Sequence, residues 1–337
     1  MASTPLHSFW ALGLAAGPLS DMRCTLALID HAETTRDYVA EVVQDATHSP
    51  FAGVARFPRI GKRPLDKLLR ARSVLRAVSE LSAQLRPEYV IAGNDRRAEF
   101  HAAMQAAPQA VGGYIDDGMF SYMPLRSRPQ GPLGTAAWGL MRRLVYGQPT
   151  EHPALIGASR SVSKAWVMLP QLVHSGLSKK QVNAILPDWF QHPGARALCA
   201  EAIGRANVST DTVRRIQLLL VLPHESFLRR YPELILSIGR VTHQAALEGK
   251  CVAFKRHPRS QSTDVSFLPR GSLELPRHLP VELLAPFLTH CRVVGSLTTA
   301  LISLHRLGSG IEVRFLPRGE RRDVTDVYRD AGVMPLD

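Results

Sequence analysis

The chain has 337 residues, of which 45% are hydrophobic and 21% charged, with a formal charge of +12 and a pI near 10.0. That balance belongs to a folded protein with room for two α/β lobes, each with its own core, and it excludes an intrinsically disordered chain. The four cysteines, Cys24, Cys199, Cys251 and Cys291, are scattered and form no C-x-x-C pair, which argues against a disulfide framework or a zinc knuckle and fits a reducing compartment.

The Lys/Arg excess is spread along the chain and favours anionic partners in general: nucleotide-sugars, acidic polysaccharides, an anionic membrane surface or nucleic acid. Near the N-terminus the apolar stretch Phe9 to Pro18 has no Lys/Arg flank and is too short to span a bilayer. It reads as part of an N-terminal extension over residues 1–22, and the chain is expected to be cytoplasmic, with peripheral contact at the inner face of an anionic membrane compatible with its charge.

The first predicted strand is Thr25 to Ile29, giving way after Asp30-His31 to a helical pattern from Thr35 to Val43. Leu65, Leu68, Leu69, Val74, Leu75, Val78, Leu81 and Leu85 recur at helical spacing until Pro87 closes the segment. Tyr89 to Ala92 is a short strand, Gly93-Asn94-Asp95 a turn and cap, and Arg96 to Gln105 a helix. Between Ser121 and Arg215 the pattern loosens into loops and short helices cut by Pro124, Pro129, Pro132, Pro149, Pro153, Pro187 and Pro193. The β/α alternation restarts with strand Gln217 to Leu222, helix Leu234 to Glu248, strand Cys251 to Phe254 and strand Arg292 to Val294. Alternating strands and helices imply parallel sheets. The expected architecture is α/β with two Rossmann-like lobes in the glycosyltransferase B arrangement, residues 23–213 and 214–337.

Three constellations carry chemistry. Tyr114-Ile115-Asp116-Asp117-Gly118 puts two carboxylates on a tight turn at a strand end, where adjacent acids raise one another's pKa toward the range of a general base. The alternative is an ordinary Asp-Asp-Gly turn; a metal cage is the poorer reading, because no nearby His or further carboxylate completes it. Val252-Ala253-Phe254-Lys255-Arg256-His257-Pro258-Arg259 ends a buried strand in basic residues around a proline, suited to a phosphate, with a surface histidine in a basic loop as the plainer reading. His152-Pro153 and His192-Pro193 repeat the dipeptide but follow no apolar strand. Val293 to Ile302, with Gly295-Ser296-Leu297-Thr298-Thr299 at its turn, offers hydroxyls and free amides at a helix start, which serve either a phosphate or the helix cap itself.

Taken in order, these segments resemble the bacterial sialyltransferases, including the lipooligosaccharide and capsular polysialyltransferase groups, from about Thr25 to Leu304. Asp116-Asp117-Gly118 is similar to the family's D/E-D/E-G motif, His257-Pro258 to its HP motif, and Thr298-Thr299 to its Ser/Thr pair, here Thr-Thr where Ser-Ser or Ser-Thr is commoner. Leu279-Pro280-Val281-Glu282-Leu283 resembles the P-x-E segment, which would put Glu282 on the cytidine ribose, and Asn94-Asp95-Arg96 resembles a turn that contacts acceptor or donor sugar.

The resemblance implies an inverting, metal-independent enzyme without a cofactor. It would move sialic acid from CMP-sialic acid to a hydroxyl of a glycan acceptor, a capsular polysaccharide or a lipooligosaccharide. Asp116 is expected as the base with Asp117 shaping the turn. His257 would act on the leaving phosphate, held with Ser296, Thr298 and Thr299 and in the positive field of Lys255 or Arg256. Kdo, legionaminic or pseudaminic acid as the transferred sugar is an alternative. A nucleic-acid binder would leave the ordered motifs unexplained, and the absence of G-x-S-x-G, H-E-x-x-H and Walker patterns argues against hydrolase and NTPase readings.

Overall fold

The computed structural model describes residues 1–31, 36–59, 64–124, 139, 143, 145–147, 150–261, 264–317 and 322–336, with backbone alone for 64–69, 322 and 323. The chain divides into two compact units, the first made of Met1–Arg36 and Pro50–Ile185, the second of Asp37–Ser49 and Leu186–Asp337.

Unit 1 begins with a helix, Pro5–Ala16, where a plain extension was expected. Thr4 caps it, its hydroxyl accepting from the His7 amide at 3.3 Å, and Pro5 sits where its missing N–H costs nothing. Phe9, Trp10, Leu12 and Leu14 are buried, each contributing on the order of 1.5–3 kcal/mol, so this helix is part of the core.

Strand β1 (Cys24–His31) pairs in parallel with β2 (Phe51–Pro58). The expected long helix is Pro64–Leu85, burying Val74, Leu75 and Val78; the side chains of Leu65, Leu68 and Leu69 lie outside the described residues. A parallel sheet follows in the order β3 (Tyr89–Ala92), β4 (Val111–Ile115), β5 (Val162–Val167) and β6 (Gln181–Ala184). Its core includes Val90, Phe100, Tyr114, Ala165 and Leu177. Strands β5 and β6 occupy the region expected to be loops and short helices; within it, Pro129, Pro132 and Pro149 lie outside the described residues.

Unit 2 holds six parallel strands, β7 (Leu218–Val221), β8 (Val252–Lys255), β9 (Leu273–Leu275), β10 (Arg292–Gly295), β11 (Glu312–Phe315) and β12 (Met334–Pro335). Their order, β12-β11-β10-β7-β8-β9, is the doubly wound 3-2-1-4-5-6 pattern with β7 as its first strand. The strand order reverses between β7 and β10, and in such sheets ligands bind outside the strand C-termini at that point. Leu218, Leu220, Val252, Phe254 and Val294 form part of its core.

The unit boundary differs from the expected 213/214 division. The helix Pro193–Arg205 buries Ala195, Leu198, Cys199, Ala202 and Ile203, and it packs against the helix Tyr38–Asp45, whose Val39, Val42 and Val43 are buried. Arg205 and Asp45 add an ion pair at 2.7 Å. These contacts place both helices in unit 2, although one of them comes from the chain's first fifty residues. Asp37 caps the earlier helix, accepting from the Ala40 amide at 3.1 Å; Thr35, where the helix was expected to start, lies outside the described residues.

Candidate active site

In unit 1 the two adjacent acids follow β4 directly, and the turn closes at Gly118, whose φ of 72° an L side chain would resist. The acids have opposite environments. Asp116 is buried; Oδ1 accepts from the Gly118 amide and the Ser121 hydroxyl, both at 2.8 Å, and Oδ2 from the Met168 amide at 2.9 Å and from the Tyr122 hydroxyl. Burial pushes its pKa up, against the pull of those four donors. The carboxylate thus ties the end of β4 to the residue after β5.

Asp117 is 19% exposed at its side chain, and its Oδ1 lies 2.9 Å from Nε2 of His7. Among the described residues its Oδ2 has no hydrogen-bond partner. Its amide donates to the Tyr114 hydroxyl at 3.1 Å, which donates to Ser121 Oγ at 2.8 Å, so one chain of bonds fixes the turn. Both Asp116 oxygens are taken up within the fold, whereas Asp116 was expected to face the acceptor and Asp117 to shape the turn.

The segment Asn94-Asp95-Arg96, expected to meet a sugar, is mostly engaged by the protein itself. Asn94 Oδ1 accepts from the Arg96 amide at 3.0 Å. Asp95 is fully buried and holds the amides of Gly157 and Ser159 at 2.7 and 2.8 Å, with its pKa raised to about 6 by burial. It is neither a ligand-facing group nor the helix cap; the helix Ala98–Ala106 starts after Arg97 with no side-chain cap. Arg96 donates to the carbonyls of Pro153 and Ala154 at 2.9 and 2.6 Å, and its charge is also felt by Asp117.

In unit 2 the remaining predicted residues gather at the C-terminal ends of β8 and β10 and in the turn after β9. His257 is half-buried. Pro258 supplies no amide, so the next one, Arg259 N–H, donates to His257 Nδ1 at 3.1 Å; the ring proton therefore sits on Nε2. Burial first, then His224, Arg259 and Lys255, push the His257 pKa down to about 4. Lys255 is buried, its Nζ donating to the Arg277 carbonyl at 3.0 Å; burial lowers its pKa to about 8 and the Glu282 charge opposes that fall. Arg256 turns aside to an ion pair with Glu274. Glu282 is buried in the 3-10 turn Val281–Leu284.

After β10, Ser296 is fully buried and Leu297 takes a left-handed φ of 48°. Thr298 Oγ1 accepts from the Ala300 amide at 3.3 Å, the capping role, yet its own hydroxyl proton remains to donate. Thr299 makes no side-chain cap bond to the helix Ala300–Leu307. Tyr328 OH accepts from the Thr298 amide at 2.8 Å and donates to its carbonyl at 3.0 Å, pinning this loop.

Sequence reasoning missed four contributors: His7, Tyr328, Arg277 and His224. The His224 ring meets His257 edge to face at 5.4 Å, and its Nδ1 accepts from the Ser226 amide at 3.2 Å, so it too presents Nε2–H. Burial, Lys255 and Arg277 lower the pKa of His278. The ends of β7 to β9 thus bring together the imidazoles of His224, His257 and His278 with Lys255 and Arg277, a cluster able to hold an anion by hydrogen bonds and field. His152 and His192, the other His-Pro sites, stand in a loop and at the start of the helix Pro193–Arg205, away from strand ends. Among the described residues no three His, Cys, Asp or Glu side chains are grouped to hold a metal, and no described helix is long and apolar enough to cross a membrane.

No protein-family model and no curated protein matches the chain. Among solved structures it is similar to an α/β-galactoside α-2,3-sialyltransferase from Photobacterium phosphoreum, with a TM-score of 0.60 and 11% identity over 99% of this chain and 96% of that one. Looser likenesses are MurG of Acinetobacter baumannii, TM-score 0.44 and 10% identity over 100% and 84% of the two chains, and UDP-GlcNAc 2-epimerase from Methanocaldococcus jannaschii, 0.46 and 11% over 94% and 89%. The first likeness covers nearly the whole chain and is one of fold: the protein is α/β, with the fold known as glycosyltransferase B.

Proposed function

We propose that this chain is a glycosyltransferase that moves sialic acid from CMP-sialic acid to a hydroxyl of a glycan acceptor, inverting the anomeric centre and using no metal. The observation that carries the reading is where the motif residues fall: Asp117 at the end of β4, His257 at the end of β8 and Thr298-Thr299 at the end of β10, each at the C-terminal edge of a parallel sheet. The fold likeness to a galactoside sialyltransferase supports it.

The donor's reacting carbon is a tertiary ketal carbon, so breaking its bond to phosphate runs ahead of forming the new one. The acceptor O–H bond breaks, its proton passing to Asp117 Oδ2, as the oxygen bonds to that carbon. The bond from the carbon to the phosphate oxygen breaks, and the electron pair leaves with CMP. His257 donates Nε2–H to that phosphate, the Thr298 and Thr299 hydroxyls add donors, and Lys255 acts through its field from beneath. Glu282 binds the cytidine ribose. The enzyme works in the cytoplasm, with glycan and nucleotide-sugar as its partners.

Calorimetric titration tests the donor class. CMP is expected to bind more tightly than UMP or UDP, and Glu282→Ala to weaken CMP binding while Asp117→Ala leaves it nearly unchanged. Preference for a uridine nucleotide, or equal weakening in both variants, would contradict the reading.

A further inference from the structure

We propose that His7, from the N-terminal helix, is a positioning residue for the Asp117 carboxylate, fixing one oxygen so that the other is presented to the acceptor hydroxyl. The inference rests on Asp117 as the base and adds the group that aims it.

Three observations carry it. His7 Nε2 lies 2.9 Å from Asp117 Oδ1, although the two residues are 110 positions apart, and the imidazole is 1% exposed. On its far side Nδ1 receives the Ser3 amide at 3.4 Å and lies 3.2 Å from Ser3 Oγ. A backbone amide can only donate, so Nδ1 carries the lone pair and Nε2 the proton, which is directed at the carboxylate. The ring also has a made-to-measure seat: a Cβ on Gly93 would stand 2.2 Å from His7 Nε2, so the glycine that follows β3 is what admits the imidazole.

Asp117 is thereby held from two sides, its amide by Tyr114 and Ser121 and its Oδ1 by His7. The charged and titratable groups around it are His7 from the N-terminal helix, Arg96 from the turn after β3, Tyr114 from β4 and its neighbour Asp116. A carboxylate swung out of line by about an ångström loses most of its advantage, which is where a positioning group acts.

The test uses the full chain with CMP-sialic acid as donor and lactose as acceptor. His7→Leu is expected to lower kcat about 10- to 100-fold and to leave KM for the donor unchanged. His7→Gln, whose amide can still donate, is expected to recover most of kcat. Imidazole nitrogen NMR reads the same contact without turnover: a protonated Nε2 and a bare Nδ1, with the Nε2 signal shifting in Asp117→Asn. A proton on Nδ1, no response to Asp117→Asn, a His7→Leu enzyme with wild-type kcat, or a His7→Gln enzyme as impaired as His7→Leu would each overturn the proposal. If wild-type protein turns over no CMP-sugar, the transferase reading fails, and the imidazole signals still test the His7–Asp117 contact.

Discussion

Replacing Asp116 and Asp117 in turn tests whether one carboxylate holds the fold while the other does the proposed chemistry. Asp116→Ala strands three buried donors, the amide of Gly118 and the hydroxyls of Ser121 and Tyr122, while the Met168 amide keeps the Tyr122 oxygen at 3.1 Å. Each orphaned buried donor costs about 1–3 kcal/mol. Burial makes the Asp116 charge itself costly, a penalty alanine removes, so the low end applies and the loss is about 3 kcal/mol. For a unit of this size 1 kcal/mol moves Tm by about 2–4 °C, so unit 1 is expected to melt about 10 °C lower. Asp117→Ala removes the partner of one donor, His7, and costs about 1 kcal/mol, yet it is expected to cut turnover about 100-fold or more with the fold intact. Scanning calorimetry and CMP release on the same preparations provide both readouts. An Asp116→Ala protein that melts with the wild type but is inactive, beside an active Asp117→Ala protein, would refute the assignment.

Other outcomes follow from the same geometry. His257→Ala is expected to lower turnover about 100-fold or more, and His192→Ala to change little because His192 only precedes a helix; the reverse pattern would move the phosphate-binding role to His192. EDTA is expected to leave turnover unaffected; loss on chelation with recovery on adding magnesium or manganese would overturn the metal-free mechanism. The His257 ring, its pKa lowered to about 4, is expected to be neutral from pH 5 to 8 and to titrate upward when CMP binds, as read by NMR; a midpoint at the ordinary histidine value that CMP does not move contradicts this. The sign for stability follows: between the folded value and the higher unfolded one the unfolded chain binds more protons, so this group's contribution falls as pH drops from about 6.5 toward 4.

Two of the strands legible in the sequence are buried on both faces. Leu218–Val221 and Val252–Lys255 are apolar or wholly buried runs, and Tyr89–Ala92 is a short run closed by a glycine turn. β2 was hidden because only Phe51 of Phe51–Pro58 is buried and half of the strand is exposed, and β5 because Ser163 and Lys164 interrupt its apolar pattern. β6 offers only Gln181–Ala184, with no fully buried residue. The unit boundary was hidden because it depends on the helix Tyr38–Asp45 packing with a helix about 150 residues later in the chain.

Within the site, the residue types and their order were legible, but the direction of each side chain was not. Nothing in Asp116-Asp117 tells which acid turns inward, since that is settled by the Met168 amide beyond β5 and by Tyr122. His7 left a faint local trace, as a polar residue in a helix whose buried face is otherwise mostly apolar, and its partner lies in another part of unit 1. Lys255 was legible as the basic end of a buried strand, but not its burial or its bond to the Arg277 carbonyl.

The central claim is tested most directly by acceptor-dependent release of CMP from CMP-sialic acid, run beside CMP-activated Kdo, legionaminic and pseudaminic acids and beside UDP-sugars, with lactose and other galactosides as acceptors and the product identified by NMR. The account predicts that wild-type enzyme releases CMP and forms one glycoside with inverted anomeric configuration, and that Asp117→Asn and His257→Ala largely lose this turnover. Turnover of a UDP-sugar with none of any CMP-activated keto-sugar, or full activity in the Asp117→Asn enzyme, would contradict it.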